Sequence, residues 1–276
     1  MKLSVITVNY NNLDGLKRTA ESILYQTWKD FEWIIIDGGS TDGSREYIIK
    51  LNDNLNQKGW NPISYWCSEP DNGIYNAMNK GIIMANGEYI NFMNSGDCYY
   101  DCKVLWKIEK LNYNEDVILG DTILIVDCVE IKVNDASSGK YDYFFFKENS
   151  IPHQATFFKK DIFDKYGLYD DSLKIVGDWE HAVRSIYLGN ASIRYVPLKI
   201  CLFGGNGCSS NRDFFQERWR VFNGIFPKKV QEELYTLNEC KKELDRVKQI
   251  KMTKYMYLFV RKISTLLKKG RAMFDA

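Results

Sequence analysis

Phe31-Glu-Trp-Ile-Ile-Ile-Asp-Gly-Gly-Ser-Thr-Asp-Gly43 is a short apolar run that stops at a carboxylate and a glycine-rich turn. Its β-branched core reads as a buried strand, and the Gly/Ser/Asp cluster reads as its exit turn. Helical spacing over residues 45–51 follows. Upstream, residues 3–8 form a second β-branched run. Turn and cap chemistry at 11–14 comes next, then Leu13, Leu16, Ala20, Ile23 and Leu24 at helical intervals. Downstream, residues 63–67 read as a strand, Ile74, Ala77, Met78, Gly81 and Ile82 as one helix face, and 88–93 as a fourth strand. Strand and helix alternate, so the part of the chain before Asp101 is expected to be α/β, a mostly parallel sheet joined by right-handed crossovers with helices on both faces.

Beyond Asp101 the alternation breaks. Residues 117–133 read as two strands, 135–140 as a polar bend and 156–158 as a short strand. Helices are expected at 160–165 and 178–188, then strands at 193–196 and 200–203. With no repeat and no low-complexity linker, residues 1–227 are expected to share one core, and 228–276 to form a helical tail. The chain has 276 residues, 45% apolar and 26% charged, which excludes wholesale disorder. Its net charge of +1 gives no global field for nucleic acid. That balance hides an asymmetry: residues 248–276 carry eight Lys or Arg against Asp275, hence 8 − 1 = +7, leaving +1 − 7 = −6 for the rest.

Seven cysteines without a Cys-x-x-Cys, and only two histidines, make a zinc site a poor reading. The start lacks a signal-peptide pattern, and no stretch reaches the ~18 apolar residues of a spanning helix. A cytoplasmic protein with reduced thiols is expected.

In an open α/β sheet, ligands bind outside the carboxyl ends of the strands. Three such ends carry polar residues here: Asn9-Tyr-Asn-Asn12, Asp37-Gly-Gly-Ser-Thr-Asp42 and Asn94-Ser-Gly-Asp97. Each alone is ordinary turn chemistry; their recurrence at successive strand ends points to a site. The glycines fit neither the dinucleotide fingerprint nor the P-loop signature. An acidic, hydrogen-bonding crevice suits a nucleotide, with Asp37 accepting from a base imide or ribose hydroxyl. Asp97 is placed to hold Mg²⁺ or Mn²⁺ against a diphosphate, because hard cations take oxygen ligands.

Four ordered stretches carry a resemblance: Ser4-Val-Ile-Thr-Val-Asn-Tyr-Asn11, Ser22-Ile-Leu-Tyr-Gln-Thr27, Phe31 to Asp42, and Ala85-Asn-Gly-Glu-Tyr-Ile-Asn-Phe-Met-Asn-Ser-Gly-Asp97. Over about residues 3 to 205 the chain resembles the family 2 glycosyltransferases of the GT-A fold, particularly the bacterial branch that assembles exopolysaccharide. The resemblance implies that Thr7, Asn9 and Asp37 line the nucleotide site, with Ser95 beside them, and that Asp97 belongs to the metal-binding Asp-x-Asp region. Two positions depart from the family pattern: Gly38 replaces a carboxylate that often contacts the base, and Gly96 replaces one commonly assigned to the metal.

The resemblance also places Asp178, in Val176-Gly-Asp-Trp-Glu180, at the position of the catalytic base. A helix-start acid is equally a cap, and the helix dipole favours its ionised form in either role. Glu180 faces elsewhere. Asp71, in Glu69-Pro-Asp-Asn-Gly73, reads as a helix cap or as a contact to the donor's ribose or sugar; Glu69 is the weaker candidate. His153 reads as structural or as a contact to the donor or the acceptor. The segment 203–210, with Arg212, reads as a loop over the diphosphate, whereas Arg218 and Arg220 read as a solvated helix face.

The expected activity is inverting transfer from a nucleoside-diphosphate sugar, UDP-linked, to a hydroxyl of a glycan or lipid-linked acceptor. The rival readings are a degenerate transferase fold that binds without catalysis, motivated by Gly38 and Gly96, and a nucleotidyltransferase, disfavoured because residues 9–15 carry no basic side chain. The tail mixes Leu, Tyr, Phe and Ile with Lys. It reads as a membrane-interface helix that makes the protein peripheral on the inner face, or as packing on the body or on a second copy through a coiled coil over 234–247.

Overall fold

A computed structural model describes residues 3–111, 113–126, 129–133, 137, 139–203, 212–249 and 255–264. The first part alternates as expected: β1 (Leu3–Asn9), α1 (Leu13–Leu24), β2 (Phe31–Asp37), α2 (Ser44–Gln57), β3 (Ile63–Ser68), α3 (Ile74–Met84) and β4 (Tyr89–Phe92). These four strands lie parallel in the order β3-β2-β1-β4. Leu3, Val5, Trp33 and Ile35 pack in one core cluster with Leu16, Ala20 and Ile23 of α1 and Ile48 of α2. The opposite sheet face receives α3, which approaches β1 so closely that a Cβ on Gly81 would lie 2.5 Å from Ile6. Both faces are covered, so the strands read as continuous apolar runs rather than alternating ones.

The sheet then continues as a mixed one. It adds β5 (Cys98–Tyr99), β6 (Val117–Val126), β7 (Val129–Lys132), β8 (Thr156–Lys159) and β9 (Ile193–Phe203) in the order β4-β8-β6-β9-β5, with β7 hairpinned on β6. β8 runs antiparallel to both β4 and β6, and β9 parallel to β6. The helices here are α4 (Val104–Glu109), α5 (Tyr143–Glu148), α6 (Asp161–Tyr166) and α7 (Gly177–Ala182), the last running into a π-helical turn at Val183–Leu188. A 3₁₀ turn, His153–Ala155, leads into β8.

The two strands expected at 193–196 and 200–203 are one. Pro197, which has no N–H to give, falls where the β6–β9 register shifts around Asp121. The irregularity is absorbed because Gly120 lacks a side chain; a Cβ there would lie 2.3 Å from Ile200. Periodicity assigned nothing to α5, whose cap is Asp142, accepting from the backbone N–H of Phe144 and Phe145 at 3.1 Å each.

The chain divides between Arg218 and Trp219, inside α8 (Arg212–Ile225), into two compact units. The second contains α9 (Lys228–Gln249) and a helical stretch over 255–264. The expected loop at 203–210, the side chain of Arg212, part of the 135–140 bend, and tail residues 250–254 and 265–276 lie wholly or largely outside the described residues. Among the described residues no helix is long and apolar enough to cross a membrane, and five cysteines are free thiols.

Candidate active site

Parallel pairing sets Asn9 of β1 beside Asp37 of β2, and Asp37 beside Ser68 of β3. Residues in register across a parallel sheet share a face, so three polar side chains meet at one edge. Asp37 Oδ1 accepts from Asn9 Nδ2 (2.7 Å) and Ser40 Oγ (2.6 Å), and Oδ2 from Ser68 Oγ (2.6 Å) and Ser40 N (3.0 Å). An ionised carboxylate has about four acceptor positions; those of this fully buried residue are filled by protein. Thr7 lies deeper, donating to Met93 O and accepting from Trp33 Nε1, both at 2.9 Å. Thr7 and Asp37 therefore hold the three strand ends together at this rim. Asn9 Oδ1 is buried with no hydrogen bond among the described residues.

The exit of β4 is shaped by α1. Asn12 caps that helix through Gly15 N and donates to Ser95 O at 2.9 Å. Thr19 Oγ donates to Asp97 O (2.7 Å) and accepts from Gly96 N (3.0 Å). Gly96 has φ +110, a conformation that side-chain-bearing residues rarely adopt. The missing carboxylate at this position is thus a backbone requirement. Asp97, just beyond, has no hydrogen bond to its carboxylate among the described residues, and the buried Oγ of Ser95 has none either. Burial pushes the Asp97 pKa up to about 6, against a smaller opposing pull from His153.

Asp178 opens α7 and is held on three sides. Oδ1 accepts from Trp179 N (2.8 Å) and lies 3.0 Å from Tyr75 Oη, while Oδ2 lies 3.1 Å from His153 Nδ1. Tyr75 reaches this point over Gly177, where a Cβ would sit 2.8 Å from its ring. Burial alone would raise the Asp178 pKa, but the His153 hydrogen bond and charge, with those of Trp179 N and Tyr75, carry it below the ordinary value. For His153, burial acts downward and is outweighed by Asp178, with Asp97 adding to it, so its pKa is raised. His153 Nε2 meets Asn94 Nδ2 at 3.2 Å. In the neutral tautomer, Nδ1–H donates to Asp178 and Nε2 accepts from Asn94. Asn94, Asp97, His153 and Asp178 thus form one electrostatic cluster drawn from the loop after β4, the 3₁₀ turn and α7.

Asp71 stands at the β2–β3 edge, with Oδ1 accepting from Gly73 N at 2.9 Å. Glu69 is occupied by Lys80 (2.8 Å) and Glu180 by Arg184 (2.9 Å), so neither joins the cluster. Arg218 was expected on a solvated face. Instead it turns inward over the Trp179 ring (5.1 Å) and donates to Asn149 O at 2.6 Å. Burial lowers its pKa while the nearby Asp178 charge opposes that. The roles of Arg218 and Tyr75 are not legible in the sequence because their partners, Trp179 and Asp178, lie far along the chain in α7.

Among the described residues no group of three or more His, Cys, Asp or Glu side chains is placed to hold a metal by itself.

The Glycosyl transferase family 2 profile matches residues 4–166. An uncharacterised glycosyltransferase of Mycobacterium tuberculosis is 33% identical over 220 residues, 76% of this chain and 78% of its own length. A PGL/p-HBAD biosynthesis glycosyltransferase of Mycobacterium bovis is 28% identical over 213 residues, covering 75% and 78%. Among solved structures, Staphylococcus aureus TarS 1-349 in complex with UDP superimposes with TM-score 0.63 at 17% identity; the match takes in 83% of this chain and 66% of that one. The mannosyltransferase PcManGT of Pyrobaculum calidifontis, in complex with GDP-Man and Mn²⁺, gives 0.59 at 14% identity, covering 83% and 64%. These structural likenesses establish the GT-A glycosyltransferase fold. A profile match over more than half of the chain, joined to a relative one-third identical across three quarters of it, places this protein in glycosyl transferase family 2.

Proposed function

We propose that this protein is an inverting glycosyltransferase that moves a sugar from a nucleoside-diphosphate donor, UDP-linked, to a hydroxyl of a glycan or lipid-linked acceptor in polysaccharide assembly. The observation that carries the reading is an ionised, triply supported Asp178 in one cluster with Asp97, whose carboxylate has no hydrogen bond among the described residues. In the reaction the acceptor oxygen bonds to the anomeric carbon as the carbon–oxygen bond to the diphosphate breaks. The leaving diphosphate keeps the electron pair, and the acceptor proton passes to Asp178. His153 holds that carboxylate in orientation and balances its charge before transfer. TarS, crystallised with UDP and with UDP-GlcNAc, supports a UDP-linked donor.

A divalent metal fits Asp97, whose carboxylate has a raised pKa and no partner among the described residues to satisfy it. Asp97 would hold Mn²⁺ or Mg²⁺, with ligand oxygens and water filling the other positions. The ion would supply Lewis-acid assistance to the departing diphosphate. Ser95 Oγ and Asn9 Oδ1, both buried without hydrogen bonds among the described residues, are the polar atoms along the rim that a donor can satisfy.

The transferase body is assigned to residues 1–227, and the tail from 228 onward is assigned to a membrane surface. In the helix over 255–264, Tyr255, Met256, Leu258, Phe259 and Val260 are all exposed beside Arg261 and Lys262, a composition suited to an anionic interface. This supports a peripheral location on the cytoplasmic face, where a lipid-linked acceptor is reached.

The test is UDP release from a panel of UDP-sugars with Mn²⁺ and a lipid-linked acceptor extract. UDP release that requires the acceptor supports the proposal. UDP binding without release under every donor and acceptor favours the binding-only reading that Gly38 and Gly96 motivate.

A further inference from the structure

Gly38 follows Asp37 at the exit of β2, and its φ lies outside the left-handed range, so its backbone admits a side chain. What excludes one is a neighbour: a Cβ at Gly38 would lie 2.7 Å from Asp71 Oδ2 and 3.2 Å from Tyr10 Cδ2. The Asp71 carboxylate therefore occupies the space of a side chain at position 38. Its orientation is fixed, because Oδ1 accepts from Gly73 N at 2.9 Å, inside a turn where Gly73 has φ +117. Oδ2 makes no hydrogen bond among the described residues and points over Gly38 beside the Tyr10 ring, which is 66% exposed. Asp37, one residue away, has no acceptor position left to offer.

An acceptor-only group beside an aromatic face selects a base by what that base donates. Uracil presents an imide N–H between two carbonyls. Cytosine presents a bare ring nitrogen at the same place, which a carboxylate repels. We infer that Asp71 Oδ2, filling the place left open at Gly38, accepts from the uracil imide and sets the preference for a uridine over a cytidine donor. The inference rests on the nucleotide-sugar reading above, and it moves Asp71 from ribose or sugar contact to base selection.

The experiment is calorimetric binding of UDP, CDP and GDP, each with Mn²⁺, to the full chain and three variants. Wild type is expected to favour UDP over CDP by about 10- to 100-fold, the span of one hydrogen bond to a charged group. Asp71→Asn keeps the acceptor for Gly73 N, so the turn survives, and this turns the donor-only Nδ2 to the base in place of Oδ2. The UDP:CDP ratio should fall to within about 3-fold. Asp71→Gly should lose the preference, and Gly38→Asp in that background should restore it by returning a carboxylate to the same space. A ratio unchanged in Asp71→Asn, with UDP still bound, overturns the inference and leaves the transferase reading standing. Failure of wild type to bind any of the three nucleotides overturns both.

Discussion

The two ends of the crevice treat their carboxylates in opposite ways. At the β1-β2-β3 rim, Asp37 is fully buried and its acceptor positions are filled by Asn9, Ser40 and Ser68. At the β4–α7 end, Asp97 has a raised pKa and no partner among the described residues, and Asp178 shares its charge with a histidine. A saturated buried carboxylate rigidifies the structure around it; an unsaturated one stores a deficit that a ligand can relieve. Asp37 and Asp97 follow strand exits and Asp178 opens a helix, so position in an element does not separate them. Which one does chemistry depends on what the neighbours leave over.

The sharpest way to break this contrast is to exchange the roles. Asp178→Asn is expected to lower kcat by about 10³-fold while UDP affinity stays within about 3-fold, since removal of a general base costs on the order of 10² to 10⁴. UDP-release kinetics with calorimetry reads both. Full activity in that variant would remove Asp178 from the mechanism. Asp37→Ala, by contrast, strips the acceptor from several buried donors at once and should cost roughly 3–5 kcal/mol in urea unfolding. A loss below about 1 kcal/mol would mean that the rim is not held as drawn.

Asp97→Asn should move stability the other way. The folded pKa of about 6 lies above the ordinary 3.8, so the folded state disfavours the charged form and loses stability as pH rises through 6. In EDTA at pH 8 the variant should be more stable by on the order of 2 kcal/mol, a gain that fades below about pH 4. Destabilisation at pH 8 would contradict the stored deficit. The smallest effect belongs to the histidine. Its raised pKa and the lowered pKa of Asp178 make the pair contribute between those two values, and that contribution declines as pH rises through the His153 value. His153→Gln should cost about 1 kcal/mol at pH 6 and less at pH 9, by urea unfolding at both. An equal cost at the two pH values would show that the ring only fills space.

Much of the fold is legible before any coordinates. Apolar strand runs and helical spacing specify β1 to β4 and the helices between them locally, and their polar exits follow. β5 is not legible because two residues are too short to carry a period, and α5 because its four consecutive aromatics show no polar face. Pro197 reads as a break, since the relieving glycine, Gly120, sits on a different strand. Arg218 reads as a surface residue because the ring it covers belongs to α7.

The linear order of residues determined an α/β body with three polar strand exits, because periodicity and turn chemistry are local properties of a chain. It also nominated Asp97, Asp178, Asp71 and His153. Packing alone decided how they differ. Two histidines of equal standing in the sequence end with opposite titrations: His153 is raised beside two carboxylates, and His181, stacked on Phe163, is pushed down to about 3 by burial. Gly38 reads as a lost carboxylate until the fold brings Asp71 into its space. Charge, proton affinity and free acceptor capacity depend on what surrounds a group in three dimensions, and residues far apart along the chain supply those surroundings.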